Sequence, residues 1–386
     1  MRIDGLRIAL FSGNYNMTVD GANKALNRLV EYLLRQGAQV RVYSPTVAHP
    51  AFEPQGTLVS LPSIAIPGRG EYHVPLGLSP TVRGDLEAFA PDLLHIASPD
   101  FAARAAVRWA RARGVPVLAS VHTRFETYPR YYGVGFLEGP LEAWIRSLYR
   151  RCDALVTPSA GMVEVLRAQG MNDDISLWER GVDRELFHSG RRDLAWRRAH
   201  GLADDEVAVG FLGRLVMEKG LEAFAATTAE LRRRGVAHKV LVIGEGPARD
   251  WLDERLPGAL FAGFQQGGDL GRAVAAIDVL FNPSETETFG NVTLEAMACG
   301  VPVVAARATG STSLVIDGEN GTLVPPGDIP GFADALTRYV ADPGLRARHG
   351  RAGEERSRAY AWDAINQTVA DTYLRLIEAR RRRVPA

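Results

Sequence analysis

Two acidic residues, Glu287 and Glu295, lie on either side of a short Phe-Gly-Asn turn at 289–291. In one continuous helix, an eight-residue step at about 100° per residue would leave the carboxylates roughly 80° apart, too far for a clean pair. The residue types favour another layout, because Asn291 is a good helix N-cap. We therefore expect Glu287 on a loop and Glu295 one turn into the following helix. Both carboxylates could then face one ligand held at the helix N-terminus.

A second candidate segment is the glycine-bounded loop GRLVMEKG at 213–220, which directly follows a predicted strand and opens a helix. Arg214 and Lys219 in this loop suit a diphosphate, since two fixed cations and a helix dipole neutralise its charge. A leaving diphosphate gains charge in the transition state, so such cations also raise the rate. Only three of the 45 lysine and arginine residues are lysines, so a lysine at position 219 favours a role that needs its compact point charge. The alternative is a solvated loop with ordinary basic residues.

The tetrapeptide GEGP at 244–247 follows another predicted strand. Gly244 permits close backbone approach to a ligand and could border a nucleotide base. The segment lacks the G-x-G-x-x-G spacing of a dinucleotide fingerprint, and a tight turn is its other interpretation.

Polar residues also follow predicted strands in the N-terminal half. Asp20 and Gly21 stand at a helix start, either as a ligand contact or as an ordinary N-cap pair. His122 ends the fourth predicted strand and opens the polar loop HTRFETY, where it could hydrogen-bond a polar substrate. A histidine with a purely structural role is the alternative.

The segment FLEGPLEAWIRSLYRR at 136–151 forms a basic amphipathic helix. Such a helix can lie on an anionic membrane surface, but a helix that covers its own sheet has the same apolar stripe. We favour the second interpretation.

Composition excludes several classes of function. The length of 386 residues favours two domains. The net charge of zero argues against a nucleic-acid partner. The two cysteines fit buried thiols in a reducing compartment, and no secretory signal or 18-residue apolar stretch is evident. No Asp-x-Asp pair at a strand end, metal-ligand cluster or nucleophile elbow is present, so we expect chemistry without a metal or cofactor. We expect a cytoplasmic protein.

Short apolar runs alternate with amphipathic helices throughout the chain, which predicts two α/β units with parallel sheets. The pattern breaks near residue 180 and restarts at 207, with a hinge at about 181–190. We assign residues 1–184 to an N-terminal domain, 185–361 to a C-terminal domain, and 362–386 to a final helix that could pack on either, in particular back on the N-terminal domain. Ligands in such folds bind beyond the carboxyl ends of the strands, here in the cleft between two facing sheets.

Taken together, the two glutamates with the FGN turn, GRLVMEKG, RGVDRELF and the DGENGTLVPPGD segment resemble the retaining glycosyltransferases of family 4. The resemblance covers nearly the whole chain and implies the GT-B fold, with two Rossmann-like domains. It implies an N-terminal domain that binds the acceptor and a C-terminal domain that binds the nucleotide-sugar donor. For the donor sugar, the resemblance implies contacts of its hydroxyls with Glu287, of the sugar with backbone amides at Phe289, Gly290 and Asn291, and of the sugar with His122. For the nucleotide, it implies that the ribose binds Glu295 and that the diphosphate binds Arg214 and Lys219.

Two features refine the resemblance. Arg180-Gly181 in LWERGVD, together with HTRFETYPRYYG, is similar to lipid mannosyltransferases and to sulfoquinovosyl- or glucuronosyl-diacylglycerol synthases. This implies transfer from GDP-mannose to a lipid or glycolipid hydroxyl, with UDP-sugar donors (sulfoquinovosyl, glucuronosyl or glucosyl) as the alternative. It also implies peripheral contact with an anionic membrane, at its inner face. The acceptor-side candidates are Asp20, Arg124 and Tyr131.

Other classes remain as alternatives. A sugar phosphorylase or an epimerase could share the fold, and a sugar-binding protein is the non-enzyme interpretation. A dehydrogenase is disfavoured because the dinucleotide fingerprint is missing.

Overall fold

The computed structural model describes residues 2–18, 20–66 and 69–383. The chain divides into two compact units, one formed by Met1–Glu179 with Trp362–Ala386 and the other by Arg180–Ala361. The first unit therefore ends five residues before the boundary expected at 184, and it includes the C-terminal helix.

The first unit contains a seven-stranded sheet in which every adjacent pair is parallel. The strand order is β3-β2-β1-β6-β7-β8-β9, and a separate antiparallel hairpin is formed by β4 and β5. The strands are β1 (Arg7–Phe11), β2 (Gln39–Ser44), β3 (Thr57–Ser60), β4 (Ser63–Ile66), β5 (Arg69–Pro75), β6 (Leu93–Ile96), β7 (Val117–Ser120), β8 (Ala154–Thr157) and β9 (Ile175–Leu177).

Helices accompany this sheet, and the central strands β6, β7 and β8 are buried at every position. Such runs are typical of parallel strands that are covered on both faces. The helices are α1 (Gly21–Arg35), α2 (Pro80–Phe89), α3 (Phe101–Arg113), α4 (Glu138–Tyr149), α5 (Ala160–Ala168) and the C-terminal Trp362–Arg383, with 3₁₀ segments at Phe125–Tyr132 and Gly135–Leu137.

The second unit contains a six-stranded parallel sheet in the order β12-β11-β10-β13-β14-β15. Its strands are β10 (Ala208–Leu212), β11 (Lys239–Ile243), β12 (Leu260–Gly263), β13 (Val279–Asn282), β14 (Val303–Ala306) and β15 (Gly321–Val324). Its helices are α6 (Leu194–Ala199), α7 (Leu221–Arg233), α8 (Arg249–Arg255), α9 (Gly267–Ala275), α10 (Asn291–Ala298), α11 (Ser311–Leu314), α12 (Ile329–Ala341) and α13 (Pro343–Ser357), with 3₁₀ turns at Ser189–Arg191 and Met217–Lys219; the C-terminal Trp362–Arg383 is α14. In both sheets the order reverses beside the first strand, as in Rossmann-type folds.

Several strands were not predicted from the sequence. β3 and the β4–β5 hairpin lie in a stretch rich in proline and glycine, β9 has three residues, and β15 lies within the DGENGTLVPPGD segment, for which no strand was predicted. Apart from β5, these strands have three or four residues, and all of them lie at sheet edges or in the hairpin, where apolar patterns are weak.

The apolar stripe of α4 faces the core, as favoured from the sequence. Ile145 and Leu148 are buried, and Leu141 and Trp144 pack against the same core cluster. The residues just before the helix differ, since Phe136 is 79% exposed and Leu137 is 43% exposed.

Candidate active site

Three loops carry the candidate residues in the second unit, and they follow the adjacent parallel strands β11, β10 and β13. The carboxyl ends of parallel strands meet at one edge of the sheet, where ligands bind in open α/β folds. Arg214 and Lys219 lie on the loop after β10, Gly244 directly follows β11, and Glu287 lies on the loop after β13.

Lys219 and Glu287 form a direct ion pair. Lys219 Nζ donates a hydrogen bond to Glu287 Oε1 at 2.7 Å, although 68 residues separate them in the chain. The Lys219 side chain is 33% exposed and that of Glu287 is 13% exposed. The pair therefore lies in a partly desolvated site, where the attraction between charges is stronger than in open water.

Two opposing effects act on the pKa of Lys219. Burial by itself lowers the pKa, because it disfavours the charged ammonium group, but the charge and hydrogen bond of Glu287 and the charge of Glu218 outweigh burial and raise the pKa above its ordinary value. Lys219 is therefore a fixed cation at neutral pH. A fixed cation suits a diphosphate better than a proton donor would.

Glycines allow these loops to approach each other closely. A Cβ on Gly244 would lie 2.0 Å from the carbonyl oxygen of Gly213, and one on Gly246 would lie 2.4 Å from that of Leu215. A Cβ on Gly220 would lie 2.9 Å from the carbonyl oxygen of Pro283. The loop after β10 thus packs directly against its two neighbours, and the GEGP segment serves this contact in addition to any role towards a ligand.

The loop that carries Glu287 is also tied by hydrogen bonds. Thr286 Oγ1 donates to the carbonyl oxygen of Glu218 at 2.9 Å. The carbonyl oxygen of Glu287 accepts from Gly310 N and from Thr309 Oγ1, both at 2.9 Å. The sequence offered no specific signal for these threonines or for Gly310, beyond the fact that their loops follow predicted strands.

Helix α10 begins directly after this loop. The prediction that Asn291 is its N-cap is wrong: Gly290 takes this position with φ +98°, and Asn291 is the first helical residue. A left-handed backbone favours glycine, so the turn enters the helix through Gly290. Glu295 lies one turn into α10, as expected, and is half-buried. The amides of the first turn lack intrahelical acceptors, which makes them available to a ligand.

The remaining residues of the turn and loop differ in exposure. Phe289 is buried, and its ring meets that of Tyr360 edge to face with centroids 5.9 Å apart. Its side chain therefore anchors the turn. Arg214 is exposed.

In the first unit, His122 follows β7 and is buried. Its Nε2 lies 2.8 Å from Ser120 Oγ, and its ring packs edge to face on Trp178 with centroids 5.2 Å apart. These contacts fix the orientation of the imidazole at the carboxyl end of the strand.

The acceptor-side candidates make contacts within the protein. Asp20 caps α1, which begins at Gly21, and its carboxylate accepts hydrogen bonds from Asn23 N at 2.8 Å and from Thr18 Oγ1 at 2.9 Å. Burial raises the pKa of Asp20, and these hydrogen bonds offset part of the rise. Arg124 Nε donates to Glu126 Oε1 at 2.8 Å. The side chain of Tyr131 lies outside the described part of the structure.

Within the described ranges, no helix combines the length and apolarity needed to cross a bilayer. Among the same residues, no group of three or more His, Cys, Asp or Glu side chains is placed to hold a metal ion.

Two Rossmann-like units, each with a parallel sheet, and basic and acidic loops at the carboxyl edge of the second sheet are typical of the GT-B class of glycosyltransferase. The fold is similar to that of a sucrose-phosphate synthase from Thermosynechococcus elongatus, with a TM-score of 0.81 and 23% identity over 97% of this chain and 100% of that one. Residues 19–186 match the family described as Glycosyltransferase Family 4, and residues 206–342 match Glycosyl transferases group 1.

Curated relatives agree with this class. The chain is 30% identical to a GDP-mannose-dependent alpha-mannosyltransferase of Corynebacterium glutamicum, over 98% of this chain and 91% of the relative. It is 32% identical to the sulfoquinovosyl transferase SQD2 of Arabidopsis thaliana, over 94% of this chain and 72% of the relative. The protein therefore belongs to glycosyltransferase family 4 and is a glycosyltransferase.

Proposed function

We propose that this protein transfers a hexose from a nucleotide sugar to a hydroxyl group of a lipid or glycolipid, with retention of the anomeric configuration. GDP-mannose is the first candidate donor. The observation that carries the proposal is the Lys219–Glu287 pair, because it places a fixed cation and a carboxylate together at the carboxyl edge of a Rossmann-type sheet.

Each charged group has a role in donor binding. Lys219, with the exposed Arg214, neutralises the diphosphate and stabilises the charge that it gains on leaving. Glu287 accepts hydrogen bonds from sugar hydroxyls, and Glu295 accepts from the ribose. The backbone amides at the start of α10 hold the sugar.

Retention follows a path on one face of the sugar. The bond between the anomeric carbon and the diphosphate oxygen breaks, and the acceptor oxygen bonds to the same carbon from the same side. The acceptor proton passes to the leaving diphosphate, so no protein nucleophile is needed. Because Lys219 already supplies positive charge to the leaving group, the reaction requires no bound metal.

Two relatives support two donors. The mannosyltransferase named for GDP-mannose supports the first candidate, and its match covers nearly the whole chain. The relative named as a sulfoquinovosyl transferase supports a UDP-sugar as the second candidate.

An apolar segment supports a lipid acceptor. Val134, Phe136 and Leu137 are 36%, 79% and 43% exposed, and they follow the 3₁₀ segment that begins shortly after β7. Exposed aromatic and aliphatic side chains suit an acyl chain or the surface of a bilayer. We place the protein at the inner face of the cytoplasmic membrane, as a peripheral protein.

A thermal-shift panel tests the donor. GDP-mannose, UDP-sugars, ADP-sugars and the free nucleotides are each added in the presence of EDTA, with Lys219→Ala as the matched control. A donor at about 100 times its Kd stabilises the protein by about 2.7 kcal/mol, which gives a clear shift in Tm. A response to GDP-mannose that Lys219→Ala abolishes supports the proposal. A response to UDP-sugars alone selects the second candidate, and silence of the folded wild type towards every donor contradicts both.

A further inference from the structure

The backbone of Glu287 is held by the neighbouring loop after β14. Its carbonyl oxygen accepts one hydrogen bond from Gly310 N and another from Thr309 Oγ1, both at 2.9 Å. A hydrogen bond to a backbone carbonyl fixes the peptide plane, and two such bonds fix it more tightly than one. The position of the Glu287 side chain therefore depends on residues that lie more than 20 positions later in the chain.

Glycine is required at position 310 for this contact because a side chain would not fit, and not because of its backbone conformation. A Cβ at this position would lie 2.7 Å from the carbonyl oxygen of Glu287 and from the carbonyl carbon of Phe289, and 2.8 Å from the nitrogen of Phe289. Its φ is −75°, a conformation that every residue adopts. All three neighbouring atoms belong to the backbone, so they cannot swing away as a side chain could.

The same loop is held from its other side by the turn that carries Lys219. Thr286 Oγ1 donates to the carbonyl oxygen of Glu218 at 2.9 Å, and Gly220 leaves room for the backbone of Pro283. The Glu287 loop thus lies between two neighbouring loops and is hydrogen-bonded to both. Its freedom to move is limited before any donor binds.

We propose that Thr309 and Gly310 are positioning residues, which set the place of Glu287 for glycosyl transfer. This inference rests on the proposed role of Glu287 at the donor sugar. Neither residue needs to touch the substrate, since both act through the backbone of Glu287. A displacement of about 1 Å in a reacting or orienting group can cost about 100-fold in rate, so the loss appears in kcat.

The test compares three threonine variants and Gly310→Ala in the full-length protein, by the release of GDP from GDP-mannose and of UDP from UDP-sugars. Thr309→Val removes the hydroxyl with little change in shape, and Thr309→Ser restores the hydroxyl. Thr312→Val is the matched control, because the Thr312 hydroxyl is on the same segment but donates to Ala308 O at 3.1 Å and Thr309 O at 3.3 Å.

We expect Thr309→Val to lower kcat by about tenfold or more with KM for the donor changed less than about threefold, since an orienting contact is lost. Thr309→Ser should recover most of the rate, and Thr312→Val should match the wild type. Gly310→Ala should lower kcat further than Thr309→Val, and the thermal shift caused by donor checks that it is folded.

Three outcomes overturn the positioning role. These are a wild-type kcat in Thr309→Val, an equal loss in Thr309→Ser, or an equal loss in Thr312→Val. If the wild type releases no nucleotide from any donor, the proposed function fails and the positioning role fails with it. If the wild type is active and the Thr309 variants have the same kcat as the wild type, the proposed function stands and the positioning role alone is lost.

Discussion

The ammonium group of Lys219 lies 2.7 Å from a carboxylate oxygen of Glu287, and the two residues come from loops that follow adjacent strands β10 and β13. Each charge neutralises the other, so neither side chain is left as an unpaired charge in a partly buried site. A diphosphate that binds Lys219 competes with Glu287 for the same donor. The two side chains therefore affect nucleotide binding in opposite directions.

Substitution of each partner separates binding from transfer. Lys219→Ala should weaken GDP binding at least about tenfold and lower transfer by about 100-fold or more, because both ground and transition states lose a cation. Glu287→Gln should lower transfer similarly but keep or strengthen GDP binding, because Lys219 loses its competitor. Titration calorimetry with GDP and a transfer assay measure these effects.

The matched control for this pair is Glu285→Gln, which changes an exposed glutamate on the same loop. It should leave both measurements near the wild type. Both pair variants should stay folded with Tm lowered by no more than about 10 °C, since a hydrogen bond to a charged group contributes about 1.5–3 kcal/mol. Weaker GDP binding in Glu287→Gln than in the wild type contradicts the competition.

Asp20 is expected to act on stability rather than on the acceptor. Its carboxylate caps α1 through Asn23 N and also accepts from Thr18 Oγ1. Asp20→Ala should therefore lower the free energy of unfolding by about 1 kcal/mol, whereas Asp20→Asn should keep the cap and most of the stability. Thermal unfolding measures both, and a raised acceptor KM in the stable Asp20→Asn protein would restore the acceptor role.

Gly244 is expected to be required for packing between loops. Its φ is +132°, and a Cβ would lie 2.0 Å from the carbonyl oxygen of Gly213. Gly244→Ala should cost about 2 kcal/mol or more beyond Gly258→Ala, because it adds a backbone clash to the strain of a positive φ. Gly258 is the matched control, since its φ is +79° and no atom lies within 4 Å of its Cβ position. Equal Tm values for the two variants contradict this.

His95 is expected to make the protein less stable in acid. It is fully buried on β6 beside Trp178, with Nδ1 2.6 Å from the hydroxyl of Tyr373 on α14, and burial lowers its pKa to about 3. The unfolded chain, with an ordinary pKa near 6.5, binds a proton that the folded chain excludes. Stability is therefore complete above about pH 6.5 and falls by up to about 1.4 kcal/mol per pH unit below it.

Urea unfolding at pH 7 and pH 5 tests this effect. Between pH 7 and pH 5, the free energy of unfolding of His95→Gln should fall by about 2 kcal/mol less than that of the wild type, because the variant lacks the titrating group. His49→Gln alters an exposed histidine and should retain the wild-type dependence. Identical losses in the wild type and His95→Gln rule out His95 as the source.

Local sequence patterns predicted the elements on which the candidate residues lie. Strand-like runs lead into the segments of Arg214, Gly244 and Glu287, and the structure places each of these residues in a loop after its strand. The α/β class and the two units could be predicted in the same way, since apolar periodicity is a local property, whereas the GT-B fold was implied by the resemblance to a known family. The prediction of Asn291 as the N-cap was wrong for a local reason too. Gly290 takes a left-handed backbone conformation and becomes the N-cap, and the presence of a good capping residue at 291 gives no indication of this.

Only the tertiary structure decided which loops meet. Strand order places β10 beside both β11 and β13, and this order brings Lys219 to Glu287 across 68 residues. It also brings Thr309 and Gly310 to the backbone of Glu287. The sequence determined which residue types follow each strand, because neighbouring residues set local conformation. Their distances depend on the pairing of distant strands, which no short stretch of sequence encodes.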